Sequence, residues 1–166
     1  MKVDPPRRTP RLALTVQYAV AARNLPARTQ IRRWVRAALE HDARITVRIV
    51  GRAEGKALNR HFRGRDYPTN VLTFVYRDAS PYDGDLALCA PVVTREAHAQ
   101  RKSVAAHYAQ LVVHGTLHLQ GYDHIKGTDA AVMEARESQI IVKLGYPDPY
   151  SVTERATARG KALRAA

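Results

Sequence analysis

The sequence predicts an α+β fold, in which a mixed sheet of about four strands packs against helices, with a metal site on a central helix and the loop that follows it. Three observations predict this fold. Strands and helices mostly alternate at first, and helices then cluster toward the end of the chain. The predicted strands 70–77 and 85–93 follow each other directly, which indicates at least one antiparallel pair. Three histidines lie in and just after the longest predicted helical stretch.

The spacing of apolar residues places each element. Strands are predicted where apolar and polar residues alternate or β-branched residues cluster, namely over 12–20, 45–50, 70–77 and 85–93. Helices are predicted where apolar residues recur every three to four positions, namely over 27–41, 54–62, 94–120 with a break near Ser103, and 128–144. Thr128 is a candidate N-cap of the last helix, and Gly145 lies just past its end.

Length and composition are those of one folded domain. The chain has 166 residues, of which 45% are hydrophobic, enough to form a buried core. No apolar run approaches the roughly 20 residues that cross a membrane. The N-terminus lacks the apolar stretch of a secretory signal, and the single Cys89 cannot form an internal disulfide. We therefore expect a cytoplasmic protein that has no contact with a membrane and whose single catalytic domain spans 12–150.

The chain is strongly basic. Its formal net charge is +12 and its pI about 10.3, a balance that favours a polyanionic partner such as nucleic acid. Residues 1–11 and 151–166 carry +3 each, so half of the net charge lies in two basic tails. We expect the first tail to be disordered and the second to be disordered or frayed. A solvated extension explains this composition as well as binding does.

Three histidines form the most informative pattern in the chain. His114 and His118 are four residues apart, so on a helix both imidazoles lie on one face, about one turn apart. Gly121 allows the helix to stop and the chain to turn, which brings His124 toward the same ion. Three imidazoles leave a fourth position for water, as at a catalytic zinc. We therefore predict that these histidines bind one Zn²⁺, or nickel or another divalent ion in its place.

The spacing of the three histidines matches the HExxHxxGxxH motif of the metzincin peptidases except at one position. In those peptidases a glutamate follows the first histidine and accepts a proton from water, whereas Gly115 occupies that position here. Glycine cannot accept a proton. A zinc peptidase is therefore the less favoured alternative, and another group must accept the proton.

Several other residues are candidates for chemistry near a metal. Arg60, Arg63 and Arg65 cluster before a predicted strand, and the planar guanidinium group holds a phosphate through two hydrogen bonds. Arginines at the end of a helix equally often satisfy its last carbonyl groups. Asp85 and Asp123 are candidates to orient a metal ligand or to accept a proton, although aspartate also favours such turn positions.

Two separated blocks of the sequence resemble the YbeY family, the metal-dependent endoribonucleases of bacterial rRNA maturation. The first block contains LN at 58–59, RGRD at 63–66 and PTNVLTF at 68–74, and the second is HGTLHLQGYDH at 114–124. The segments GDLALC at 84–89 and LGYPDPY at 144–150 are also similar to the family. The resemblance therefore covers roughly residues 45–150.

This resemblance implies a zincin-like α+β fold, a zinc ion held by the three histidines, and cleavage of single-stranded RNA. It also implies a role in maturation of the 3′ end of 16S rRNA and in ribosome quality control, with the small ribosomal subunit as a partner. The functional arginine of the family falls on Arg63, and Arg60 and Arg65 are further candidates for RNA binding. A non-catalytic ribosome-assembly factor with a structural metal is the main alternative. The nucleophile is either water or the 2′-OH of the RNA.

Overall fold

A computed structural model of the chain describes residues 3, 5–122 and 127–150. The strands in this part of the chain are β1 (Leu12–Tyr18), β2 (Ala43–Val50), β3 (Val71–Arg77) and β4 (Tyr82–Cys89). The helices are α1 (Arg28–Ala38), α2 (Arg52–Arg63), α3 (Ala90–Ala99), α4 (Val104–Leu119) and α5 (Gly127–Lys143). The predicted tail 151–166 lies outside the described residues, and the predicted domain boundaries stay a prediction.

The strands form one mixed sheet in the order β1-β2-β4-β3. The pairs β1–β2 and β2–β4 are parallel, whereas β3 runs antiparallel to β4 and has a register shift between Val75 and Arg77. The antiparallel pair is the one that the sequence predicts. Strands β1 and β3 form the two edges of the sheet. The predicted fold class, an α+β domain with a four-stranded mixed sheet, is confirmed.

The main error of the sequence prediction lies after β4. The sequence predicts a strand over 85–93, but β4 ends at Cys89 and α3 begins at Ala90. Pro91 lies in the first turn of α3, where its missing N–H group would have no partner within the helix in any case. The apolar residues 90–93 therefore begin a packed helix. The predicted N-cap Thr128 is also wrong, because α5 begins at Gly127 and Thr128 lies within its first turn.

Helix α4 lies at the centre of the core. Eleven of its sixteen residues are buried, and it contacts β3, β4, α1, α3 and α5. Ser103 caps its start by accepting a hydrogen bond from the Ala106 N–H group at 3.1 Å, which confirms the predicted break. Gly121, at φ 99°, ends it, and the Tyr122 N–H group donates back to the Leu117 carbonyl oxygen at 3.2 Å. The predicted stop at Gly121 is therefore confirmed.

Two glycines allow α4 to pack directly on β4. A Cβ atom at Gly115 of α4 would lie 2.7 Å from Cδ2 of Leu86 on β4. Conversely, a Cβ atom at Gly84 of β4 would lie 2.5 Å from the carbonyl oxygen of Phe74 and would overlap Leu119 of α4. Each glycine thus faces a leucine of the other element. The position of α4 on the sheet depends on these two contacts.

Gln120 connects the end of α4 to the end of α1. Its side chain is buried, and its Nε2 donates to the Ala38 carbonyl oxygen at 2.8 Å. Its Oε1 accepts from the N–H groups of Glu40 at 2.7 Å and His41 at 3.1 Å. One amide therefore satisfies backbone groups that the end of α1 leaves unpaired. None of the described helices is both long and apolar enough to cross a membrane.

We predict that Gly115→Ala destabilises the fold through its contact with Leu86. Overpacking costs about 1–3 kcal/mol, which exceeds the gain in helix propensity of at most about 1 kcal/mol. In a Leu86→Ala background, which removes the opposing methyl groups, the same substitution should cost nothing or stabilise. Urea unfolding of the four proteins of this double-mutant cycle measures the difference. An equal cost in both backgrounds would show that the two residues are not coupled.

Candidate functional site

A groove of about 650 Å³ opens between α4 and the edge strand β3. His114 and His118 of α4 line one side of it, Phe62 and Arg63 lie at the end of α2, and residues 69–76 line the other side. Consecutive residues of β3 contact the groove although their side chains alternate between the two faces of the sheet. The groove therefore runs along the edge of the strand. No other described strand pairs with this edge.

A buried carboxylate holds His114. The Nδ1 atom of His114 lies 3.0 Å from Oε2 of Glu137, whose side chain is only 1% exposed. The Tyr150 hydroxyl group donates to the same oxygen at 3.0 Å. A carboxylate oxygen can only accept hydrogen bonds, so Nδ1 of His114 donates to it and carries the ring proton. The lone pair of the neutral imidazole then belongs to Nε2.

Tyr150 is held in its protonated, donating form. Burial in the first place, and then the charge of Glu137 and the hydrogen bond to it, raise the pKa of Tyr150 far above its usual range. The side chain of Gln110 acts in the opposite direction on this pKa, and its Oε1 accepts from Nζ of Lys102 at 2.6 Å. A polar network therefore continues from His114 through Glu137 and Tyr150 into the protein.

A backbone carbonyl holds His118. Its Nδ1 lies 2.9 Å from the carbonyl oxygen of Tyr122, which can only accept, so Nδ1 carries the proton here as well. The Tyr122 hydroxyl group donates to the carboxylate of Glu40 at 2.9 Å, and Nε of Arg136 donates to the same carboxylate at 3.1 Å. Burial, followed by this bond to Glu40, raises the pKa of Tyr122. Glu40 thus anchors the chain on both sides of residues 123–126.

Both histidines have the arrangement that is typical of metal ligands, in which an acceptor fixes Nδ1–H and Nε2 binds the ion. The third predicted ligand, His124, lies outside the described residues, as does Asp123. Within the described ranges, no group of three or more His, Cys, Asp or Glu side chains is placed to hold a metal ion. The assignment of His124 as the third ligand therefore stays a prediction.

Arg63 is the predicted arginine that lines the groove. It is the last residue of α2, after which Gly64 turns the chain in a left-handed conformation at φ 67°. Arg60 lines a different surface pocket, together with Glu54 and Asp66. Arg65 is exposed in the loop after α2 and does not contact the groove. The structure thus brings Arg63 together with the two histidines and leaves its two neighbours apart from them.

Asp85 lies on the other face of the sheet. Its neighbour Gly84 faces α4, and successive side chains of a strand point to opposite faces, so Asp85 points away from α4. There its Oδ2 accepts a hydrogen bond from the Tyr76 hydroxyl group at 2.8 Å, and this bond raises the pKa of Tyr76. This placement argues against Asp85 as the proton acceptor for a reaction in the groove.

Gly115 faces the sheet and not the groove. A side chain at this position would meet Leu86, so the glutamate of the peptidase motif has no room here while α4 packs on β4 as it does. Glycine at this position has a packing reason that is independent of chemistry. The alternative of a metzincin-like peptidase therefore loses its proton acceptor on steric grounds as well.

Comparison with known proteins identifies the family. A sequence model described as Endoribonuclease YbeY matches residues 17–145. The chain belongs to this family. Proteins named Endoribonuclease YbeY are similar to it: one from Nitrosomonas eutropha is 57% identical over 141 residues, which are 85% of this chain and 100% of the relative. Another from Aromatoleum aromaticum is 53% identical over 154 residues, 91% of this chain and 100% of the relative.

A solved structure supports the fold. The solution structure of TM1509 from Thermotoga maritima is 26% identical, with a TM-score of 0.55 over 77% of this chain and 86% of that chain. The predicted YbeY resemblance and fold are thus confirmed. The segment that matches the YbeY family includes Arg63, both described histidines and Glu137, whereas Tyr150 lies just beyond it.

Glu137 and Tyr150 are not among the site residues that the sequence predicts. A usable pattern was present, because Glu137 lies four residues after Met133 and four before Ile141, on the buried face of α5. A carboxylate on an apolar face is rarely buried without a partner. This pattern predicts a buried hydrogen bond for Glu137, but it does not reveal that His114 is the partner.

We predict that His114 and His118 both exist as the Nδ1–H tautomer in the metal-free protein. Two-bond ¹H–¹⁵N correlation spectra at least one unit above the ordinary imidazole pKa of about 6.5 report this directly. Glu137→Gln should weaken the preference at His114, because the carboxylate acceptor is lost. His118, whose acceptor is a backbone carbonyl, is the internal control and should not change. An Nε2–H tautomer of His114 in the unmodified protein would refute the role given to Glu137.

Proposed function

We propose that the chain is a metal-dependent endoribonuclease that hydrolyses phosphodiester bonds of single-stranded RNA. We further propose that it matures the 3′ end of 16S rRNA and acts in ribosome quality control, in the cytoplasm and on the small ribosomal subunit. One observation carries the enzymatic part: Arg63, His114 and His118 line a single groove in a chain of the endoribonuclease YbeY family. The choice of rRNA rests on the resemblance of the two sequence blocks to that family.

The described donor atoms fit a zinc ion, with nickel or another divalent ion as the alternative. His114 and His118 would bind it through Nε2, and His124 would complete a set of three imidazoles. When bound, such an ion supplies a water of lowered pKa and polarises a phosphoryl oxygen. The Glu137 carboxylate and the Tyr122 carbonyl group fix the orientation of the two described imidazoles. The histidine side chains therefore lose less conformational entropy when the ion binds.

Arg63 is the proposed phosphate ligand. Its side chain is exposed at the groove, and no ion pair to another described residue neutralises it. A guanidinium group binds phosphate oxygens through two parallel hydrogen bonds and stabilises the negative charge that grows in the transition state. Because Gly115 and Asp85 face away from the groove, Asp123 and the substrate itself are the proton acceptors that we retain. The nucleophile is water or the RNA 2′-OH.

The walls of the groove favour single strands. Phe62 is 58% exposed and Tyr76 66% exposed, and both line it. The rings of Phe62 and Phe74 pack edge to face with their centroids 4.8 Å apart, which supports Phe62 from one side. Exposed aromatic rings stack on bases that are free of a duplex. The net charge of +12 provides the attraction to a polyanion that such binding needs.

Metal analysis and cleavage of a single-stranded oligoribonucleotide test this proposal together. The purified protein should bind one divalent ion per chain and lose cleavage on treatment with a chelator, and added zinc should restore it. His118→Ala should lose both the ion and cleavage. Arg63→Ala should keep the ion and the fold, but its cleavage rate should fall by about 10²–10³-fold, as expected for loss of one group that stabilises transition-state charge.

Arg60→Ala is the matched control for Arg63→Ala, because it removes the same group from the same helix outside the groove. It should retain most of the cleavage activity. Equal cleavage by folded, metal-loaded Arg63→Ala and the unmodified protein would refute the role of Arg63. A pure protein that binds the ion and RNA but never cuts would instead support a non-catalytic assembly factor.

A further inference from the structure

Helix α1 carries a large share of the basic charge of this protein. It contains four arginines and no acidic residue, so its eleven residues contribute +4. Half of the chain's net +12 lies outside the two tails, and α1 alone accounts for most of that half. We call its exposed side the α1 basic face, which consists of Arg28, Arg32, Arg33 and Arg36.

The arginines of this face have no acidic partners among the described residues. The sheet shows the opposite pattern: Arg44 pairs with Asp83 at 2.7 Å, and Arg48 pairs with Glu54 at 2.6 Å. Those pairs neutralise the basic charge of β2. The positive charge of the α1 basic face is not neutralised in this way.

Backbone carbonyl groups orient three of the four guanidinium groups. Arg28 donates to the carbonyl oxygen of Val16 at 2.6 Å. In the same way, the carbonyl oxygens of Leu144 and Pro10 accept from Arg33 and Arg36 at 3.0 and 3.1 Å. A carbonyl group restrains a guanidinium without cancelling its charge, and each guanidinium has further N–H donors. These side chains are therefore partly ordered and still able to bind an anion.

The charge pattern works against the helix itself. Arg28, Arg32 and Arg36 are spaced four residues apart, so they form one row of like charges that repel each other. No acidic residue lies in the first turn, where the helix dipole would favour one. A surface that serves only solubility usually mixes both signs along such a row. Solubility alone therefore does not explain the α1 basic face.

The α1 basic face lies at the other edge of the molecule from the groove. Helix α1 packs on α4 and β1, and β1 is the sheet edge opposite β3. Three interstrand spacings of about 4.8 Å separate these edges by about 14 Å. The bond from Arg36 to the Pro10 carbonyl also brings residues 5–11 to this side, where Arg7 and Arg11 are exposed. The basic surface therefore continues beyond the helix.

We propose that the α1 basic face and residues 5–11 form a second RNA-binding surface, which holds backbone phosphates of a long RNA outside the groove. This inference rests on the proposed RNA substrate, and it concerns the part of the substrate that is not cut. Arg28 to Arg36 span about 12 Å of helix, enough to contact more than one phosphate. Guanidinium groups bind phosphates without regard to base sequence. The surface therefore adds affinity for the RNA, and cleavage takes place in the groove.

The test compares Arg32→Gln/Arg33→Gln/Arg36→Gln with Arg52→Gln/Arg95→Gln/Lys143→Gln. Both variants lose three positive charges, but the control loses them from exposed positions on α2, α3 and α5. Fluorescence anisotropy with a chelator present measures binding to a structured rRNA transcript and to a short single-stranded oligonucleotide, each over a series of salt concentrations. Circular dichroism establishes that both variants are folded.

We expect the first variant to bind the structured transcript at least about tenfold more weakly. Its slope of log K against log salt should fall by about 2 to 3, the value for three lost phosphate contacts. Binding and cleavage of the short oligonucleotide should not change, and the control should bind the transcript nearly as the unmodified protein does. Arg32→Gln alone breaks no described hydrogen bond of that side chain, and it should lower the slope by about 1.

Unchanged transcript affinity and slope in the Arg32→Gln and triple variants would overturn the inference. Loss of binding to vesicles that contain phosphatidylserine, with normal binding to the transcript, would also overturn it. An equal loss of transcript affinity in the control variant would overturn it as well. The outcome is separable from that of the proposed function. A protein that never cleaves RNA but shows the salt effect contradicts the enzymatic proposal alone, whereas normal cleavage without the salt effect contradicts only this inference.

Discussion

The close contact between α4 and β4 positions both described candidate metal ligands, His114 and His118. The Leu86 side chain packs against Gly115, and the Leu119 side chain packs against Gly84, so only one leucine side chain separates the two elements at each contact. With that face of α4 against the sheet, His114 and His118 lie at the side that borders β3. The same contact fills the space that a peptidase glutamate would need at position 115. The packing of α4 on β4 therefore places the two histidines beside the groove. It also leaves no room for the glutamate that a metzincin-like peptidase needs.

The buried carboxylate that orients His114 lowers the stability of the fold. Glu137 is fully buried, one of its oxygens accepts from His114 and Tyr150, and the other has no partner among the described groups. An apolar residue of similar volume often stabilises such a position more than a buried charge does. In return, the Glu137 carboxylate orients the imidazole of His114, because it selects one tautomer and one ring orientation. We interpret Glu137 as a residue that serves the site at the expense of stability.

Local sequence patterns predict the features of this structure that depend on residues close together in the sequence. Alternation and helical spacing give the mixed α+β fold, Ser103 and Gly121 mark both ends of the histidine helix, and the spacing of the two histidines gives the pair itself. The apolar run 90–93 fits a strand or a helix, and only packing decides in favour of the helix. The face on which Asp85 lies depends on strand register, since a shift of one residue reverses it. Glu137 is 23 residues from His114, a contact that no local pattern contains.

Our central proposal is that the groove beside β3, which Arg63 also lines, holds a metal ion through Nε2 of both α4 histidines. A crystal structure of the zinc-loaded protein, with anomalous data collected at the zinc absorption edge, tests this claim most directly. We predict one strong anomalous peak about 2.0–2.1 Å from Nε2 of His114 and of His118, with a third ligand from His124. A zinc ion bound through Nδ1 of either residue, or bound only at sites outside the groove, would contradict it.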